Sequence, residues 1–160
     1  MRVRRDRPAL GVAPGERLLA WATTDDGEVV GGTRDAFYLP GRVPWEEVEA
    51  ADWDRDTSVL QVREVGSWGE VRSEHTFTIP EPGRLLQLVR ERVTASVVLQ
   101  RHVPVRGRRG VRVIGRRPPG RPAEPAWFFE YDEGVDPTDP DVKRVCADAL
   151  AAAQQEVGGA

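Results

Sequence analysis

Among its 160 residues the chain has one cysteine, one methionine, one lysine and two histidines. A single thiol, Cys146, excludes an internal disulfide and removes any pointer to an oxidising compartment. His75, His102 and that one Cys are too few to supply the nitrogen and sulfur ligands of a zinc site. No apolar run approaches the ~18 residues of a membrane-spanning helix. The segment MRVRRDRPALGVAPGE is basic but carries no apolar stretch of the kind a secretory leader needs. Also missing are G-x-S-x-G, a P-loop, a G-x-G-x-x-G following a strand, and H-E-x-x-H. Gly107, Gly110 and Gly115 stand irregularly among arginines and lack the Lys-Ser/Thr that meets a phosphate and its Mg²⁺. These absences predict a cytoplasmic, non-enzymatic chain with no catalytic residue, cofactor or metal.

What is present is charge sorted into blocks. From Arg92 to Ala123 there is no acid and there are nine arginines, at 92, 101, 106, 108, 109, 112, 116, 117 and 121. From Glu124 to Asp141 there are seven acids, at 124, 130, 132, 133, 136, 139 and 141, and no Lys or Arg. The net charge of −3 conceals both, so only the local pattern bears on an anionic partner. Arginine outnumbers lysine twenty-two to one, and Ala, Gly and Pro are abundant. That bias points to a GC-rich coding sequence, which discounts arginine content as a functional signal.

Short apolar runs separated by turn residues predict an antiparallel meander. Strands are expected at Arg17–Thr23, Glu28–Thr33, Ala36–Leu39, Glu49–Asp54, Ser58–Val65 and Val71–Ile79, with turns at Asp25–Gly27, Asp54–Thr57 and Gly66–Gly69. In the last strand Val71, Ser73, His75, Phe77 and Ile79 share a face, which makes His75 a core-facing, hydrogen-bonded residue. Pro80 and Pro82 stop the sheet, and Gly83 to Arg101 is expected to be a helix. Its apolar residues Leu85, Leu86, Leu88, Val89, Val93, Val97, Val98 and Leu99 occupy more than one stripe. The sheet supplies one cover, and the other must come from the rest of the chain or a second protomer. After a loop over 103–110, Val111–Arg117 and Ala126–Asp132 form a hairpin. Asp139 is the expected N-cap of a last helix with Pro140 at its first position. Val142, Val145, Cys146, Ala149, Leu150, Ala153 and Val157 make its apolar stripe, Cys146 buried and inert among them, and Gly158-Gly159 ends it.

A meander followed by a long apolar helix, with AFYLPGRVPWEEVEAADWDRDTSVLQV (36–62) and GRLLQLVRERVTASVVLQR (83–101), resembles an actinobacterial family of PH-like (pleckstrin-homology-like) proteins. In that family a hydrophobic strand, an I/V-P-W-E-x-V step and an acidic Trp-containing strand precede the helix. The resemblance implies an α+β fold: a PH-like antiparallel β-barrel or meander capped by a long helix, spanning 16–102. Residues 1–15 would be a flexible N-terminal arm, and 103–160 a hairpin-helix extension. It also implies a binding platform. Phosphoinositide-binding relatives carry basic residues around the first strand–strand loop, whereas here that loop, Thr23–Glu28, is acidic and would repel an anionic headgroup.

Other constellations read as structure. The acids Glu46, Glu47, Glu49, Asp52, Asp54 and Asp56 lack the spacing of a Ca²⁺ loop, and Asp52 and Asp54 mark a solvated strand face opposite Trp53. His102 sits after the expected helix end, where imidazole suits the dipole. Trp127, Phe129 and Tyr131 share a face that suits packing onto the 83–101 helix, base stacking being the other role for such residues. If facing residues of the C-terminal hairpin sum to 242, Arg112 meets Glu130, Ile114 meets Phe128, and the two charge blocks neutralise each other. Arg106, Arg108 and Arg109, with Arg101, remain as the candidate anion or nucleic-acid contact. A protein partner or self-association is the leading expectation, and nucleic acid through Arg101–Arg121 the alternative.

Overall fold

Turn chemistry and β-rich runs produce ten strands, one 3-10 turn and two helices in a computed structural model that describes residues 10–66 and 73–158. The fold is α+β with three antiparallel sheets, and the chain divides into two compact units between Thr94 and Ala95. This division falls within the segment expected to be one helix.

In the N-terminal unit, β1 (Ala20–Thr23), β2 (Val29–Gly32), β3 (Ala36–Leu39) and β4 (Gly41–Pro44) pair in chain order. A second sheet holds β5 (Val48–Asp54), β6 (Val59–Glu64) and β7 (Glu74–Thr78). The short strand β4, running up to the 3-10 turn Trp45–Glu47, was not expected. The expected Gly66–Gly69 turn and the start of the last meander strand at Val71 fall largely on residues 67–72, outside those described. Pairing runs within each sheet and not around a closed barrel among the described residues.

One core serves both sheets and helix α1 (Leu85–Ser96). Trp45, fully buried, stacks on Phe37 at 5.0 Å and donates its indole N–H to Thr33 O at 2.9 Å. Its ring and Leu88 press onto Gly32, where a Cβ would lie 2.8 Å from both. Burying such an aromatic requires a partner for its N–H, and the Thr33 carbonyl is that partner.

A carboxylate ties the N-terminal segment to the first sheet. Glu16, its side chain 7% exposed, accepts hydrogen bonds from Thr33 Oγ1 at 2.6 Å, Tyr38 OH at 3.1 Å and Arg42 Nε at 3.0 Å. The Tyr38 hydroxyl in turn accepts the Ala13 amide at 2.9 Å, so this part of the expected arm is hydrogen-bonded to the sheet. Burial pushes the Glu16 carboxyl up, but the bonds from Thr33, Arg42 and Tyr38 and the Arg42 charge together outweigh it and hold the pKa below its ordinary value.

Helix α1 stops at Ser96, five residues before the expected end. Val97 and Val98, stiff at χ1, begin strand β8 (Val97–Arg106) instead. The Ser96 carbonyl accepts the Arg117 amide at 2.9 Å, which hands the helix terminus over to sheet pairing. The second apolar stripe that predicted another cover on the helix was therefore made of strand residues. The expected loop at 103–110 is likewise a hairpin. β8 turns through Gly107, at φ +61°, and Arg108 into β9 (Arg109–Arg116), a two-residue turn with glycine first, as the II′ type requires.

β9 then pairs with β10 (Ala126–Tyr131), and every facing pair from Ala126↔Arg116 to Tyr131↔Val111 sums to 242, as the charge pattern predicts. Helix α2 (Pro140–Gly158) packs on β8 and β9. Its Val142 and Cys146 form a core with Val111 and Val135, joined by Val105, Phe129 and Tyr131. Phe129 and Tyr131 thus pack in the α2 core, whereas the sequence placed them on the 83–101 segment, while Trp127 lies over Gly115 near Val98 of that segment. Gly110 admits the closest backbone approach: a Cβ there would lie 2.0 Å from Val103 O, beside the irregular pairing at Pro104–Arg106.

Two variants test these anchors. Glu16→Ala should lower unfolding stability by about 1–3 kcal/mol by stripping three donors of one acceptor. A depressed carboxyl stabilises above its ordinary pKa and loses that effect as pH falls through the folded value. Glu16→Gln should therefore flatten the acid limb of a pH–stability profile, and an unchanged limb would count against the network. Gly110→Ala should cost about 1–3 kcal/mol in urea unfolding, with an unaffected midpoint refuting the close contact.

Candidate functional site

The two charge blocks meet in the C-terminal unit because β9 lies between β8 and β10. Residues pointing away from α2 form a polar ladder, with His102, Arg112 and Glu130 side by side across the three strands. One step along, Asp132 Oδ2 accepts both His102 Nε2 at 2.8 Å and the Gly110 amide at 2.7 Å. The His102 bond, then the Gly110 amide, hold the Asp132 pKa below the usual carboxylate range. His102 is thus mid-strand and paired, not at a helix end.

Each candidate arginine has a definite place. Arg106 and Arg109 are cross-strand neighbours flanking the Gly107-Arg108 turn, which brings three of the four together at the hairpin end. Arg106 Nη2 donates to Asp139 Oδ2 at 2.7 Å, and Arg109 Nη1 donates to Glu133 O at 3.2 Å. Arg101 lies apart, further back on β8, with its Nη1 2.6 Å from Glu156 Oε2. Arg108 is exposed at the turn and has no partner among the described residues. The acids that were distant in sequence are delivered to the hairpin by the segment leading into α2.

Asp139 does two things. Its Oδ1 accepts the Asp141 amide at 2.9 Å, capping α2 as expected, while Oδ2 takes Arg106. The Asp141 amide, then Arg106, hold its pKa down. Arg101 grips Glu156 near the other end of α2, so two ion pairs bracket the helix antiparallel to β8. An anion recruited by Arg106 or Arg101 must compete with these carboxylates.

The remaining candidates are dispersed. His75 Nε2 lies 2.8 Å from Glu64 Oε2 and its ring stacks beside Phe77 at 6.3 Å, on the expected face but only half-buried. Asp52 and Asp54 are exposed and Trp53 turns to the core, as predicted. Asp54 Oδ1 accepts the Asp56 and Thr57 amides, the work of a turn residue. Glu46, read as one acid of the 46–56 cluster, has its Oε2 buried without a partner among the described residues. Burial, then the nearby Glu47 and Asp35 charges, push its pKa up. Among the described residues no group of three His, Cys, Asp or Glu is placed to hold a metal ion. Cys146 is buried, and burial pushes its thiol up, which suppresses the thiolate.

The feature that residue-by-residue reasoning missed is made of backbone. The Asp132 amide donates to Gly110 O, so even-numbered residues of this strand direction face β9. The Arg117 amide donates the other way, to Ser96 O, and agrees with that alternation. On β10 the amides and carbonyls of Trp127, Phe129 and Tyr131 therefore point away from β9. They have no partner among the described residues. The side chains of these three are half-buried. The signal was present in the 242 register, because a register determines which backbone groups a hairpin leaves over.

Other sheet edges are blunted. β1 and β4 span four residues each, and β5 carries Glu49, Asp52, Asp54 and an irregularity at Val48/Ala50. At β7, Thr78 O accepts the Asp25 amide. β8 contains Pro104 and two register irregularities. β10 has one charge, Glu130, which Arg112 already faces. Edge strands without Pro, irregularity or unpaired charge are templates for another strand.

Comparison of the chain with protein-family models, curated proteins and solved structures finds no match.

Asp139→Ala should destabilise by roughly 0.5–2 kcal/mol through the lost cap, whereas Asp139→Asn should retain most of it. Arg106→Ala alone should have a small effect, as exposed pairs contribute little. Chemical denaturation of the single and double variants measures the coupling, and equal losses for Asp139→Ala and Asp139→Asn would contradict the capping role.

Proposed function

We propose that this chain is a non-enzymatic, PH-like interaction module that binds protein through its C-terminal sheet. The observation that carries the reading is the β10 edge, whose outward main chain has no partner among the described residues and whose aromatic side chains are half-buried on one six-residue strand. Main-chain groups on such an edge supply affinity, and alternate side chains supply selectivity. The N-terminal unit supports the PH-like assignment: a four-stranded and a three-stranded antiparallel sheet precede a helix that shares their core. Fold alone leaves the ligand open, so the site has to argue for it.

Phosphoinositide binding has little support. Asp25, Asp26 and Glu28 are exposed in the first strand–strand loop, where an anionic headgroup would need cations. No helix among the described residues is long and apolar enough to cross a membrane. Nucleic-acid binding through Arg101–Arg121 is supported by Arg108 alone of the four arginines at the candidate site. Arg101 and Arg106 already hold the Glu156 and Asp139 carboxylates, and Arg109 donates to the Glu133 backbone carbonyl.

Light scattering across a concentration series, followed by affinity capture with the full chain, tests the reading. Self-association or a stoichiometric protein partner is the expected result, and a strict monomer that retains nothing would overturn it. Binding of RNA or DNA that weakens steeply with salt, with a slope reduced by Arg106→Ala, Arg108→Ala and Arg109→Ala, would transfer the function to the arginine hairpin.

A further inference from the structure

From the geometry of β10 we infer that its occupant is β10 of a second copy of the chain, paired antiparallel about a two-fold axis through Phe129. The inference rests on the interaction-module reading and names its partner. An antiparallel edge pairing must join outward-pointing residues to outward-pointing residues, and on β10 these are Trp127, Phe129 and Tyr131.

With Phe129 opposite Phe129, Trp127 of each copy meets Tyr131 of the other. All three outward residues then exchange both their amide and carbonyl bonds. Their side chains, all on the α2 side of the sheet, make an aromatic ladder of Trp–Tyr, Phe–Phe and Tyr–Trp, a pairing that antiparallel sheets favour. Between them, Glu130 faces Phe128 of the other copy and Asp132 faces Ala126, so no acid opposes an acid.

Neighbouring registers are worse. Sliding by two residues in one direction sets Glu130 against Glu130 at the close pairing distance, where like charges repel. Sliding in the other direction moves Tyr131 out of pairing with Trp127 and leaves outward groups unsatisfied. Within its own copy Glu130 stands opposite Arg112 in the β9–β10 register, so the one acid of β10 has a cation as its cross-strand neighbour. α2 packs on β8 and β9, and Phe129 and Tyr131 of β10 reach the core it shares with Val111 and Val135. The contact is isologous and closes on itself, giving a dimer with a continuous six-stranded sheet and no propagating fibre.

Site-directed disulfide trapping on the full chain tests the register. A hydrogen-bonded antiparallel pair holds its Cα atoms about 5.5 Å apart, within the disulfide range. Phe129→Cys should therefore give a covalent dimer under mild oxidation. Glu130→Cys, whose copies lie beyond the roughly 7 Å limit, should cross-link at least about tenfold less. The native thiol at Cys146 is buried, so the unmodified chain should not cross-link. Because Phe129 and Tyr131 both pack against the α2 core beside Cys146, the traps are built in a Cys146→Ala background whose folding is checked by unfolding midpoint, and a mixture of Trp127→Cys and Tyr131→Cys chains supplies a second readout. It should yield a mixed disulfide in excess of either homodimer.

Both traps forming in this pattern support the two-fold edge dimer. A chain that dimerises without trapping at 129 or at the 127/131 pair overturns it while leaving the interaction-module reading intact. A monomer at every concentration also overturns it; if that monomer captures a foreign partner, only the second-copy assignment fails.

Discussion

Strand β9 has a neighbour on each side, and its two antiparallel registers govern the C-terminal unit. Val111 and Val113 are fully buried, Val111 in the core shared with α2, while the even-numbered Arg112 and Arg116 lie on the opposite face. The same alternation directs Arg112 toward Glu130 and His102 in the ladder. It also decides which amides of β10 are consumed by β9 and which are left over. One period-two constraint thus sets core packing, charge neutralisation and the open edge together. A slip of one residue would invert all three.

The N-terminal unit depends on a different kind of contact. Trp45 fills the space between the first sheet and α1, and its indole N–H is satisfied by Thr33. Thr33, with its hydroxyl on Glu16 and its carbonyl on Trp45, links the aromatic core to the carboxylate anchor. The buried polar groups of Thr33 and Trp45 are tolerated there because each has a partner. Among the described residues Glu46 Oε2, in the 3-10 turn directly after Trp45, is buried without a partner, and burial first of all raises the Glu46 pKa.

Local patterns were legible where neighbours in sequence are neighbours in space. β3 falls on Ala36–Leu39 as read from its apolar run, Asp139 caps α2, and the hairpin register follows from charge complementarity. The helix end at Ser96 was not legible. Val97, Val98 and Leu99 are apolar in any register, and strand pairing with β9 outweighs the continuation of a helix. The hairpin at Gly107-Arg108 was hidden for the same reason: β8 has no pattern of its own until β9 pairs with it. Arg106 looked free because its acid lies thirty-three residues away in sequence.

Sequence by itself determined the α+β class, the meander, the capped last helix and the opposition of the two charge blocks. These rest on turn chemistry, period and charge sign, which act over a few residues or across one short hairpin. Only the tertiary structure decided which arginines are already held and which backbone groups of β10 stay open. Both are remainders after pairing: a carboxylate is spent, or an amide left over, only once another strand or helix has taken its place beside it.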